Sequence, residues 1–391
     1  MPDGREPIAV KVLERLDEVA AAEWDACASA DNPFVSHGFL KALEDSGAVG
    51  HEAGWLPRHL AVEDAAGQLL GAVPLYLKSH SYGEYVFDWS WAEAYERAGG
   101  RYYPKLQCAV PFTPVTGPRL LVRPGPDAAE VESALIEAMV ELARRTSVSS
   151  LHVTFPTNAQ WRRLGRAGML LREDTQFHWH NRGYGSFDDF LADLSSRKRK
   201  AIRKERREAV RHGLSLRVLS GGEIEGRHWD AFYRFYIATA DRKWGHPYLN
   251  RAFFHRLGAA MADKVALVVA ESDGRPVAGA LNLIGPEALY GRNWGSLRGY
   301  KFLHFEACYY QAIEFAIARG LSRVEAGAQG PHKLQRGYMP APTYSAHWFR
   351  DPGLGRAVAD FVTRERMMVA QERRALDAHS PFRAAGAQAP G

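Results

Sequence analysis

Cysteine is scarce in this chain: three in 391 residues, Cys27, Cys108 and Cys308, far apart and odd in number. That speaks against a disulfide framework and for reduced thiols in a cytosolic setting. Long apolar runs are missing too. No window approaches the ~20 uninterrupted apolar residues of a membrane span. The opening stretch, MPDGREPIAVKVLERLDEVAAAEW, mixes charge throughout and holds no apolar core of signal-peptide length. A cytoplasmic protein without a membrane span is the expectation. No zinc-finger, KH or RRM signature occurs, which argues against a protein that reads nucleic-acid sequence, DNA included. No Gly-x-Ser-x-Gly elbow marks a nucleophilic serine. His178 and His180 in QFHWHN share one face of a strand, but no third and fourth ligand follows at useful spacing, so no metal site is expected.

What is present is ordinary in bulk and ordered in detail. Hydrophobic residues make up 46% and charged residues 24%, enough to bury a core without cysteines or metals. The length suits two domains. The net charge of +5 leans mildly towards anionic partners. Residues 60–77, LAVEDAAGQLLGAVPLYL, and 267–284, LVVAESDGRPVAGALNLI, each read as an apolar run, an acidic turn with glycine, and a second apolar run. That is a hairpin facing a core. After the first come aromatic strand-like runs to Val122, a helix over 126–145 and the strand-like 149–155. After the second come ALYGRNWG, a helix over 298–320 and the strand-like 322–327. Both halves read hairpin, strand, helix, strand, so two like-folded domains are expected, 1–181 and 182–377, joined where NRGYGS (181–186) breaks the pattern.

The second half opens on a basic helix, expected over 187–212. Ser186 is its N-cap, Asp188 and Asp189 suit the helix dipole, and Gly213 is a natural stop. Further helices are expected at 227–241, 250–262 and around 355–376. The tail, 378–391, is rich in Ala, Gly and Pro and reads as disordered.

Four stretches carry a family resemblance: PFTPVTGPR (111–119), LSSRKRKAIRKERREAVRHGL (194–214), LHFEACYYQAIEFAIARGL (303–321), and EAGAQGPHKLQRGYMP (325–340) with SAHW (345–348). Over about 30–380 the chain resembles the Fem-like branch of the GNAT superfamily, and more narrowly the FemAB-like peptidoglycan biosynthesis/recognition group. The resemblance implies an α/β (α+β) chain of two tandem GNAT-like domains, each a mixed, mostly antiparallel sheet flanked by helices. It also implies acyl transfer to an amine. In Fem enzymes the donor is aminoacyl-tRNA, and the acceptor is a peptidoglycan-precursor peptide bound between the domains. Acetyl-CoA-using GNAT proteins carry a Gln/Arg-x-x-Gly-x-Gly/Ala loop whose amides hold pyrophosphate. GRNWGSLRGYKF (291–302) lacks that spacing, and TPVTGPRLLVRPGP (113–126) is broken by prolines. This favours aminoacyl-tRNA over acyl-CoA as donor, with no tightly bound cofactor.

Such transfer must deprotonate an amine, stabilise an oxyanion and reprotonate a leaving group. The glycine-broken 325–340 stretch offers His332 as a base near neutral pH, Lys333 and Arg336 as fixed cations, Tyr338 as an oxyanion donor with the amides of Gly327 and Gly330, and Gln329 as a substrate contact. A plain surface loop is the alternative. The apolar helix 298–320 holds His304 and Glu306; Glu306, sharing a face with Tyr310, is a second candidate base or else one arm of a structural ion pair. Arg292 and Trp294 join them as substrate contacts. Nine basic residues fall within 197–211. Among them Arg199, Lys200, Arg203, Lys204 and Arg207 form helical stripes, which suit tRNA or another phosphate partner, or else are a solvated face. In 87–119, Asp88, Trp91, Tyr103, Lys105 and Thr113 could wall a cleft for a small-molecule or peptide amine, or could be core.

Overall fold

In a computed structural model, residues 9–211, 213–242, 245–327 and 330–383 are described. The chain divides into two compact units, one made of residues up to 174 with 343–369, the other of 175–342 with the residues from 370 onward.

The first unit begins with β1 (Val10–Leu13), α1 (Ala21–Ala28) and α2 (His37–Asp45), followed by β2 (Trp55–Pro57), β3 (His59–Glu63), β4 (Leu69–Val73) and β5 (Leu75–Lys78). Pro74 cannot donate to a ladder and splits one strand into β4 and β5. The expected hairpin is β3–β4, turning through Gly67 at φ +82°. Then come α3 (Trp89–Arg97), β6 (Lys105–Cys108), β7 (Leu121–Val122), α4 (Ala128–Arg145), β8 (Ser150–Thr154) and α5 (Asn158–Arg166). One sheet has the order β1-β3-β4-β7; a second runs β2-β5-β6-β8. Within it β6 and β8 are parallel, Leu106 facing Leu151. Helix α4 presents Val131, Leu135, Ile136 and Met139 at three- and four-residue spacing. They pack on Val62, Val73, Leu106 and Val153 from the strands. Full burial is worth about 1.5–3 kcal/mol for a side chain of this size.

The second unit is entered within β9 (Leu170–His180) and continues with α6 (Phe187–Asp193), α7 (Ser196–Ala209), β10 (Leu214–Ser220), α8 (Gly226–Arg242), α9 (Arg251–Met261), β11 (Val265–Ser272), β12 (Arg275–Ile284) and β13 (Ala288–Ser296). Next come α10 (Leu303–Phe305), a π-helical turn (Glu306–Tyr310), α11 (Gln311–Ala318), β14 (Arg323–Glu325), a 3-10 turn (Pro331–Arg336), β15 (Met339–Phe349) and α12 (Pro352–Ala378). Its strands run β10-β11-β12-β13-β14, closed by residues 178–180 of β9. In the first unit, residues 345–349 of β15 close the corresponding edge beside β8. Each unit is thus completed by a strand that begins in the other. Both are mixed, mostly antiparallel sheets flanked by helices, as expected.

Three local expectations differ. The basic helix is two helices, because Leu194 is drawn fully into the core and its backbone pairs with Phe382, while the Ser195 amide donates to Pro381 O. The same contacts place the chain from Ala378 to Arg383, which the sequence assigned to disorder; the residues beyond lie outside the described ones. The helix expected from 298 begins at 303, since Phe302 adopts a left-handed φ of +61° at its N-cap.

Candidate active site

Strands β13 and β14 pair in parallel over three residues only, Ala288–Tyr290 with Arg323–Glu325. Beyond them β13 stays with β12 across a bulge: Asn282 faces Gly291, Leu281 faces Asn293, and Arg292 is left over. The two strands part, and a narrow cleft of about 80 Å³ opens beside the π-helical turn. Arg292, Trp294 and His304, expected from the sequence as substrate contacts, all line it, together with Asn282, Cys308 and Tyr309. Asn282 is 1% exposed. Its Nδ2 donates to Ala266 O and Ala280 O, while its Oδ1 has no partner among the described residues. A buried amide oxygen left bare costs free energy unless a donor arrives.

A second pair of bare atoms sits at the same parting. Glu325, the last residue of β14 to pair, faces His178 across the ladder. Glu325 Oε2 and His178 Nε2 stand 3.8 Å apart, both buried and both without a hydrogen-bond partner among the described residues. The other oxygen of Glu325 accepts from Arg323 Nε at 2.9 Å. Burial pushes the His178 pKa below its ordinary value, against the pull of Glu325, so the imidazole is neutral at pH 7. The sequence offered His178 only as a metal ligand; among the described residues no group of three or more metal-ligating side chains forms.

The remaining expected residues of this unit are mostly committed to one another. Glu306 is enclosed, with Arg206 Nη2 at 2.9 Å, Arg206 Nε at 3.1 and 3.2 Å from its two oxygens, and Gln311 Nε2 at 2.9 Å. Arg206 also bonds Glu314. The ion pair is therefore the reading that the geometry favours for Glu306, in place of a base. Tyr310 donates to Glu205, as does Arg336, which stacks on Phe305 at 3.5 Å. These contacts pin the 331–336 turn to α7. Tyr338 is wholly enclosed and its hydroxyl donates to Tyr309 O, so it packs where an oxyanion donor was expected. Lys333 is buried, donates to Gly327 O at 2.8 Å, and is pushed down to about 8 by burial. His332 is exposed and its Nε2 lies 3.0 Å from the Tyr309 hydroxyl. Burial, then Arg336 and Lys333, lower its pKa, leaving a neutral ring. Gln329 lies outside the described residues.

The Arg206 network makes a stability prediction. Arg206→Ala leaves the Glu306 carboxylate buried beside Gln311 alone. Since Arg206 is itself a quarter exposed, the cost falls below that of a fully buried pair, at about 2–3 kcal/mol. It is read from urea unfolding midpoints, and an unchanged midpoint would show that the pair contributes nothing.

In the first unit Asp88, Trp91, Lys105 and Thr113, expected to wall a cleft, are buried, while Tyr103 is half-buried. Lys105 is fully buried; its ammonium bonds Asp88, Glu84 Oε2 at 2.8 Å and Ser81 Oγ at 2.8 Å. Trp91 packs edge-on over His347 with ring centres 5.0 Å apart. Thr113 Oγ1 donates to Pro111 O, and the Tyr103 hydroxyl, half-buried, lies 2.8 Å from Ser81 Oγ. The charges that suggested a cleft neutralise one another inside the fold.

On α7, Lys200, Arg203, Lys204 and Arg207 are exposed, and Arg199 is half-buried. Arg203 bonds Asp188 at 3.1 Å. Lys200, Lys204 and Arg207 share one face at three- and four-residue spacing.

A fold of this kind is known. FemX matches at a TM-score of 0.54 and 11% identity, over 87% of this chain and 98% of that one. The C-terminal domain of a putative lysylphosphatidylglycerol synthetase from Agrobacterium fabrum matches at 0.55 and 9%, over 87% and 95%. L-PGS from Bacillus licheniformis matches at 0.50 and 11%, over 86% and 98%. At these identities the likeness shows a shared fold. No curated protein matches the sequence. The family model for FemAB-like proteins, described as peptidoglycan biosynthesis/recognition, matches residues 15–384, and the chain belongs to that family.

Proposed function

We propose that the chain is an N-acyltransferase that moves an aminoacyl group from aminoacyl-tRNA to an amine on a peptidoglycan-precursor peptide. The observation that carries the reading is the parting of β13 and β14, where a cleft lined by Asn282 with its bare Oδ1 opens beside Glu325 Oε2 and His178 Nε2, two facing atoms without a hydrogen-bond partner among the described residues. The family's link to peptidoglycan supports the acceptor class. In the reaction the amine nitrogen attacks the acyl carbon, a C–N bond forms, and the ester C–O bond to the tRNA ribose breaks. The Glu325–His178 pair takes the amine proton. Tyr309, bonded to His332, supplies a proton towards the leaving oxygen; burial raises the pKa of its phenol, so it stays a donor. Asn282 Oδ1 accepts an N–H of the bound substrate. The exposed face of α7 holds tRNA phosphates.

The donor is tested by measuring binding of charged bulk tRNA and of acetyl-CoA at two salt concentrations. tRNA binding that weakens with salt is expected. The Lys200→Gln/Lys204→Gln/Arg207→Gln variant should flatten the log–log salt dependence by about 2. Acetyl-CoA binding without tRNA binding would make this an acyl-CoA enzyme. Binding of a precursor peptide with neither donor would make it a non-catalytic recognition module.

A further inference from the structure

A groove of about 520 Å³ lies in the first unit between α5 and α12, and the acyl-transfer reading makes no use of it. Its size is that of a small-ligand site. Met169, Leu171 and Val362 give it an apolar floor. Arg162 and Arg166, one turn apart on α5, line one side, and Arg366 lines the other from α12, one turn beyond Val362. Their neighbours are neutralised, Arg163 by Glu132 and Arg172 by Glu365. Arg162, Arg166 and Arg366 have no ion-pair partner among the described residues. Three arginines that line one groove without a counter-ion leave it positively charged, and the planar fork of arginine suits phosphate oxygens. An apolar floor beneath them suits an anion that carries a hydrocarbon chain better than a bare ion or a nucleic-acid backbone. Next along α12, Met367 and Met368 stand 64% and 61% exposed, two large apolar side chains in water beside Arg366. No helix among the described residues is long and apolar enough to cross a membrane.

We propose that this groove binds the phosphate of an anionic membrane lipid and seats the first unit on a bilayer surface, with Met367 and Met368 entering the interface. Basic residues draw the protein to the charged leaflet, and the apolar pair adds burial.

The test is co-sedimentation of the full chain with vesicles of phosphatidylcholine alone and of phosphatidylcholine mixed with phosphatidylglycerol. Binding to the mixed vesicles only is expected. The Arg162→Gln/Arg166→Gln/Arg366→Gln variant should bind about a hundredfold more weakly. Met367→Ser/Met368→Ser should also weaken binding, and both variants should keep the wild-type melting temperature, since they alter surface side chains. Neutralising Lys200, Lys204 and Arg207 on α7 controls for general basicity. The proposal is overturned if the groove variant binds vesicles like wild type or if only the α7 variant loses binding. Capture of inorganic phosphate or glycerol phosphate by the groove with no vesicle binding also overturns it, and so does an absence of all binding.

Discussion

Glu325→Gln is expected to lower aminoacyl transfer by about 10²–10⁴-fold, the usual weight of a general base, while leaving donor affinity within about twofold. The substitution keeps shape and hydrogen-bonding capacity but cannot accept a proton. Arg323, which bonds Glu325 Oε1, retains Glu287 at 3.2 Å, so the strand end keeps a partner for its cation. His178→Gln removes the other half of the pair. Two groups that act as one proton acceptor give non-additive losses, so the double variant should be no slower than the worse single variant. The measurement is transfer of a labelled amino acid from charged tRNA to a peptide amine at saturating donor. A Glu325→Gln protein with wild-type turnover would remove the pair from the reaction. A loss confined to donor affinity would make Glu325 a binding residue.

The sequence disclosed the architecture better than the site, for a physical reason. Hairpins and amphipathic helices are local, and their periodicity is written in adjacent residues, so 60–77 and 267–284 read correctly as β3–β4 and β11–β12. Strand exchange is not local. Nothing within 170–180 or 339–349 tells which unit each strand will finish. The site inherits that difficulty. Arg292, Trp294 and His304 come together at the cleft because they flank one parting strand and the helix after it. Asn282 was passed over inside an apolar hairpin strand; a lone amide in LNLI was the available signal. The Glu325–His178 pair depends on register between strands far apart in sequence. Conversely, titratable residues crowd 304–338 partly because they neutralise one another: Glu306 with Arg206, Arg336 with Glu205. Density of charge marked the region, while partner assignment separated ion pairs from unspent groups.

Lys105→Met is expected to be the most damaging single change to the first unit, costing about 3–5 kcal/mol from a total that for most proteins is about 5–15 kcal/mol. In the native protein the surrounding charges are held to a minimum. Burial pushes Glu84 up to about 7 and Lys78 down to about 6, which leaves Lys78 largely neutral and Glu84 only partly ionised near pH 7. Burial also opposes the charge on Asp88 and on Lys105, but their mutual attraction wins: Asp88 is held below its ordinary range and Lys105 above its own. Methionine fills the volume and removes the cation, so Asp88 and Glu84 face an apolar site uncompensated and their pKa values rise. A carboxyl whose folded pKa is raised favours folding below its unfolded pKa, and that favour is lost as pH climbs through the folded value. The deficit against wild type should therefore be smaller near about pH 5 than near about pH 8. Adding Asp88→Asn and Glu84→Gln to the methionine variant removes the stranded charges and should restore most of the loss, because a neutral cluster is cheaper to bury than half of a charged one. Thermal unfolding of the single and triple variants at the two pH values decides it. A pH-independent deficit that the triple variant does not relieve would assign Lys105 a packing role and leave the charge pairing without a part in stability.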